Sequence, residues 1–129
     1  MMAGNDKWFG YSARALTTRS VLRERADSLG DKVFLHYLPD ARQYTYRDID
    51  RQSDTLAAGI ARHGVCRGTH VACLMNNSPE QLLTYFALGK LGAVAVPLNT
   101  ASRGASLKYL LEHSDVAALV IDAELVPLY

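Results

Sequence analysis

Sulfur is scarce in this chain: Cys66 and Cys73 are its only cysteines, and their spacing fits no metal-ligand pattern. A disulfide-stapled secreted framework is thereby excluded, and both thiols read as packing residues in a reducing compartment. Charge of one sign is missing as well. Fourteen basic and thirteen acidic residues leave a formal charge of +1, and no basic stripe runs along any segment. Nucleic acid and anionic membrane surfaces are excluded as partners on that ground. There is no long apolar run, since the longest, Leu91 to Leu98, is far below the roughly 20 residues a membrane span needs. The opening MMAGNDKWFG carries Asp6 and Lys7 and no apolar core, so it makes no secretory signal. Repeats, linkers and low-complexity stretches are also lacking. What remains is 129 residues, 49% of them hydrophobic and 21% charged, an ordinary balance for one globular domain. A soluble cytoplasmic protein is the expectation.

The stretch His70–Asn99 organises the rest, because its hydrophobic period changes twice within it. Val71 to Met75 reads as a strand covered on both faces. Ser78 supplies a helix cap, Pro79 fits the first turn, Gln81 completes a Ser-x-x-Gln box, and Glu80 suits the positive helix end. Between Leu82 and Leu91 only Thr84 and Lys90 are strongly polar, so this helix is predicted to be buried on most sides. Gly92 ends it in a left-handed conformation, and Ala93 to Val96 forms a second strand closed by Pro97. Strand, helix and strand make a βαβ crossover in a parallel sheet.

Upstream, residues 1–17 are read as an irregular segment whose Trp8, Phe9 and Tyr11 pack onto the rest. Thr18 is expected to cap a helix with Val21, Leu22, Ala26 and Leu29 inward, and Gly30 to stop it. Val33 to Leu38 and Gln43 to Tyr46 form an antiparallel hairpin around Pro39-Asp40. Thr45 then opens a second helix through a Thr-x-x-Asp box with Asp48. Ile49, Leu56, Ala57 and Ile60 line its apolar face, while Arg47, Asp50, Arg51, Asp54 and Arg62 are expected in water. Gly64 terminates this helix, and Arg67-Gly68 turns the chain into the central strand. After Asn99 the loop TASRG leads to a helix with Leu107, Leu110 and Leu111 inward, which Ser114-Asp115 breaks. Val116 to Ile121 is a third parallel strand.

Motifs for chemistry are few. Gly59 to Gly64 has the glycine spacing of a phosphate loop, but Val65 stands where the lysine is needed. No Gly-x-Gly-x-x-Gly follows any strand. Gly89 to Gly92 has the GxxG shape of a nucleic-acid clamp but lies in and at the end of a buried helix. His36, His63, His70 and His113 are scattered, with no HExxH, CxxC or GxSxG spacing, and read as structural. Asp122, at a strand end, reads first as the cap of the next helix. Arg103 stands out. It lies just past the carboxyl end of the second parallel strand, the edge where open α/β sheets bind ligands. It is either a solvated arginine at a helix start or a phosphate contact.

Taken together, the pieces resemble a known family. Tyr44-Thr45-Tyr46, Gly64-Val65, Gly68 with Val71-Ala72, Asn77-Ser78-Pro79-Glu80, Leu91-Gly92-Ala93-Val94 and Val96-Pro97-Leu98-Asn99 occur in the order found near the start of the AMP-binding, adenylate-forming enzymes. The acyl-CoA synthetase branch is the most similar, and NTASRG looks like the loop of its carnitine-CoA-ligase-like and fatty-acid-CoA-ligase-like members. Thr69-His70 departs from the aspartate usual after Gly68. The resemblance implies an α/β fold, the incomplete N-terminal part of the family's large domain, with a βαβαβ parallel sheet preceded by a helix and a β-hairpin. Residues 18–129 would be a partial AMP-binding domain, truncated before the phosphate loop. It also implies ATP, CoA and Mg²⁺ as cofactors and a carboxylic acid as substrate of the full-length enzyme, in fatty-acid metabolism. The family's catalytic residues lie downstream of the matched segment, so no catalytic and no metal residue transfers to this chain. Arg103, as a contact to a CoA phosphate, is the one candidate site residue.

Three readings follow: an inactive fragment of an acyl-CoA synthetase, a non-enzymatic α/β binding module, or a non-functional truncated product whose unpaired sheet edge promotes association.

Overall fold

The computed structural model describes residues 16–129 and, for the backbone alone, two short strands, β1 (Lys7–Trp8) and β2 (Tyr11–Ser12), paired antiparallel. The packing expected of Trp8, Phe9 and Tyr11 lies outside the described residues.

Helix α1 spans Thr18–Leu29, and its cap is Thr17 rather than Thr18. The reason is a reciprocal box. Thr17 Oγ1 accepts from the Ser20 amide, and the Ser20 hydroxyl accepts from the Thr17 amide, both at 3.1 Å. Thr18 has Val21 three residues on, which has no oxygen to return. Gly30 stops the helix, but at φ −31° and not in the left-handed region. Glycine is needed there for space, because a Cβ would lie 2.2 Å from the Arg47 guanidinium and 2.9 Å from the Ala26 carbonyl.

Strands β3 (Val33–Tyr37) and β4 (Arg42–Thr45) form the expected hairpin, with Leu35 opposite Tyr44 and Tyr37 opposite Arg42. It closes one residue earlier on each strand than the sequence suggests. Asp40 accepts from the Arg42 amide at 3.1 Å and Ala41 adopts φ 60°, so the turn is complete before Gln43. Helix α2 (Tyr46–Ala61) then starts on the predicted Thr45–Asp48 box.

The central sheet contains β5 (His70–Leu74), β6 (Val94–Pro97) and β7 (Ala118–Ile121), all parallel in the order β6-β5-β7. Strand β7 is two residues shorter at its start than expected, because the left-handed Asp115 leaves Val116 and Ala117 to enter the sheet. Helix α3 (Pro79–Leu91) links β5 to β6, and helix α4 (Gly104–His113) links β6 to β7. A 3₁₀ helix, Ala123–Leu128, follows. Ser78 caps α3 through the Gln81 amide at 3.1 Å, but the predicted box is only half made. The Gln81 side chain donates to the Met75 carbonyl instead, tying the end of β5 to the helix start. Gly92 closes α3 at φ 71°, as predicted.

Two packed layers meet on α3. One joins Val65, Val71, Cys73 and Leu88, and the other Leu22, Ile49 and Leu83 with Phe34 and Phe86 packed on them. The inner strand β5 is covered on both faces from Val71 to Leu74, whereas Val94 on β6 and Leu119 on β7 are exposed. Cys73 is buried as expected; Cys66 is exposed and is not a core residue.

Candidate functional site

Parallel strands deliver their following loops to one edge of the sheet, and here that edge gathers Asn76, Asn99 to Arg103, and Asp122. Asp122 does not cap the 3₁₀ helix with its side chain. Its carboxylate accepts from the Asn76 amide at 2.7 Å, tying the ends of β5 and β7 together, while the Asn76 side chain donates to Glu124 at 2.7 Å. Asn99 folds its own loop by accepting from the Ala101 amide at 2.8 Å.

Arg103 occupies the cap position of α4 and is exposed. Its Nη1 donates to the carbonyls of Thr100 at 2.6 Å and Ser102 at 2.8 Å, and to the Tyr129 hydroxyl. The guanidinium lies 4.3 Å from the centre of the Tyr129 ring. Beside it runs an apolar groove of about 530 Å³, lined by Leu74, Leu107, Leu111, Leu119, Ile121 and Leu128. A smaller polar cleft of about 260 Å³ takes in Asn76, Asn77, Gln81, Asn99 and Thr100. Tyr85 also lines it, and burial together with the nearby Cys73 raises the Tyr85 hydroxyl pKa.

The histidines do not converge. His70 shares a hydrogen bond with the Ser114 carbonyl at 2.7 Å, and His113 stacks on Tyr109 with ring centres 5.2 Å apart. His36 lies on β3 opposite Gln43, and His63 follows the end of α2. Among the described residues no group of three His, Cys, Asp or Glu could hold a metal ion.

An ionic cluster away from this edge escapes the sequence reading. Asp50, expected in water, is 5% exposed and pairs with Lys90, whose side chain is fully buried. Lys90 Nζ donates to the Asp50 carbonyl, the Asp50 carboxylate and the Asp54 carboxylate at 2.7 to 2.8 Å, which uses all three of its protons. Arg23 completes a neutral quartet, 3.3 Å from Asp50 and 2.7 Å from Asp54. Burial pushes the Asp54 carboxyl up, but the Lys90 hydrogen bond and the charges of Lys90, Arg23 and Arg19 outweigh it and leave it below the ordinary range. A lysine in the mostly apolar part of α3 and two carboxylates four residues apart on α2 are the only signals the sequence offers. The cluster joins α1, α2 and α3, and Lys90 within it has no proton left over for a substrate.

The AMP-binding enzyme family matches residues 22–128. Over 107 residues the chain is 36% identical to the medium/long-chain-fatty-acid–CoA ligase FadD6 of Mycobacterium tuberculosis, covering 83% of this chain and 18% of that one. It is 30% identical over 114 residues to the crotonobetaine/carnitine–CoA ligase of Salmonella paratyphi A, covering 86% and 22%. The N-terminal subdomain of NpsA from Klebsiella oxytoca, solved with anthranilyl-AMSN, superposes with a TM-score of 0.78 at 30% identity, covering 83% of this chain and 28% of that one. The chain thus spans about a fifth of the length of the curated relatives it matches. A parallel β6-β5-β7 sheet and an antiparallel hairpin, the ordered motifs on β5, α3 and β6, and a match over most of the sequence lead to one conclusion: the chain belongs to the AMP-binding enzyme family.

Proposed function

We propose that this chain is the amino-terminal scaffold of an ATP-dependent acyl-CoA synthetase acting in the cytoplasm on a fatty or carnitine-like acid. The observation that carries the reading is that relatives of 36% and 30% identity are both named as CoA ligases of carboxylic acids. In such a reaction a carboxylate oxygen attacks the α-phosphorus of ATP and pyrophosphate leaves. The thiol of CoA then attacks the acyl carbon, and AMP departs with the bonding pair. The activation is needed because carboxylate oxygen is a poor leaving group and AMP a good one. The described residues hold no group of three His, Cys, Asp or Glu suited to Mg²⁺.

Within that reaction the residues of this chain support rather than react. Residues 18–129 form the partial AMP-binding domain, and the tied ends of β5 and β7 hold its ligand-binding edge in register. Arg103 serves as a contact to a phosphate of CoA. Its exposure at that edge, with Nε and Nη2 without a hydrogen-bond partner among the described residues, supports this role.

Two measurements test the proposal. The isolated chain, given ATP, CoA and a medium-chain fatty acid, is expected to release no pyrophosphate, and robust release defeats the assignment of a scaffold role. Residues 18–129 are then grafted in place of the matching segment of the 36%-identical fatty-acid–CoA ligase. Acyl-CoA formation by the graft is the expected result, and Arg103→Ala in it should raise KM for CoA and leave KM for ATP unchanged. A folded graft without ligase activity defeats the synthetase reading; an unchanged CoA dependence removes Arg103 from the site.

A further inference from the structure

We infer that Tyr129 is the residue that positions Arg103 for an anionic ligand, an inference that rests on reading Arg103 as a phosphate contact. An exposed arginine on a loop samples many side-chain conformations, and a ligand that needs one of them must select it. Here the selection is already made. The Tyr129 ring lies under the guanidinium, 4.3 Å from ring centre to Cζ, which is within cation–π range. The hydroxyl accepts from Arg103 Nη1 and donates its own proton to the Thr100 carbonyl at 2.9 Å. The Thr100 and Ser102 carbonyls also accept from Nη1, at 2.6 and 2.8 Å, so its two protons are shared among three acceptors.

The consequence is a division of the guanidinium into two edges. Nη1 is committed to the loop and the tyrosine. Nε and Nη2, which together form the bidentate edge suited to phosphate or carboxylate, have no partner among the described residues. The tyrosine orients this edge from 26 residues away, through the return of the chain along β7 and the 3₁₀ helix. Neither Thr100 nor Ser102 can do so alone, because a backbone carbonyl fixes one nitrogen and leaves the plane free to rotate.

The test uses the whole ¹⁵N-labelled chain and follows the Arg103 Nε–Hε resonance during titration with CoA, 3′-dephospho-CoA and inorganic phosphate. In the wild type, Nε is expected to be ordered before ligand is added and to shift with millimolar CoA. Tyr129→Leu removes both ring and hydroxyl; it should mobilise Nε and weaken CoA binding roughly three- to tenfold. Tyr129→Phe, which keeps the ring, should fall between the two. Tyr129 is 46% exposed, so these variants keep the fold, and a thermal melt verifies it. An Nε as ordered and a CoA affinity as high in Tyr129→Leu as in the wild type overturns the positioning inference and leaves the phosphate contact standing. Identical CoA shift maps for the wild type and Arg103→Ala, or no response of Nε to CoA, overturn the phosphate contact and the inference with it.

Discussion

Lys90 shows what sequence leaves open about a single residue. Its place in an apolar helix marks it as buried, but whether a buried lysine has a partner is decided forty residues away in the sequence, at Asp50. Breaking a buried ion pair from one side leaves the other charge uncompensated. Lys90→Met should therefore lower stability by about 3 kcal/mol in urea unfolding, with a smaller further loss when Asp50→Asn is added. Equal, additive losses would show that the two residues are not coupled. The thiols separate just as sharply. Burial pushes the Cys73 thiol up to about 11, while Cys66 is exposed. Iodoacetamide at pH 8 is expected to label Cys66 in the folded chain and to reach Cys73 only after denaturation, as read by peptide mass spectrometry.

At the scale of the element, caps were legible where the whole contract lies among residues a few positions apart, and were misplaced at Thr18 and Asp122, where Thr17 caps α1 and the aspartate ties β7 to β5 instead. The Thr45–Asp48 box and the left-handed Gly92 follow directly from local sequence. The Ser78–Gln81 box formed only by half, since the Gln81 side chain donates its Nε2 to the Met75 carbonyl just past β5 rather than accepting from the Ser78 amide. These caps also confer pH dependence. The Thr45 backbone and hydroxyl hold the Asp48 carboxyl below its ordinary range, and the Arg42 hydrogen bond does the same for Glu80. Depressed folded values stabilise the chain above the ordinary carboxylate range and are lost as pH falls through them. Urea midpoints should thus drop between pH 7 and pH 3. Thr45→Ala should cost about 1 kcal/mol at pH 7 and less once the pH falls through the depressed range of Asp48, because the bond from the Thr45 hydroxyl to the carboxylate is then lost while the cap on the Asp48 amide remains. A cost independent of pH would dissociate the cap from the titration.

For the whole molecule, the parallel sheet is a three-stranded core with β6 and β7 at its edges, and among the described residues neither outer edge is paired. Leu119 on β7 is 47% exposed and lines the apolar groove. An unpaired strand beside an apolar groove favours association between copies. The purified chain is expected to elute increasingly early in size exclusion as concentration rises, and Leu119→Lys to restore the monomer. A wild type that stays monomeric at all concentrations refutes this. The candidate site divides along the same line. Arg103 is legible as the arginine of the loop that follows a parallel strand, whereas Tyr129 beneath it is not, because no pattern of spacing brings residue 129 to residue 103. What the sequence alone determined is periodicity, capping and turn chemistry, hence a βαβαβ order and its family, since these depend on neighbours within a turn or a strand. Tertiary structure decided the partner of Lys90, the exposure of Cys66 and the orientation of Arg103. Each is a contact between elements, set only once burial and register place distant residues together.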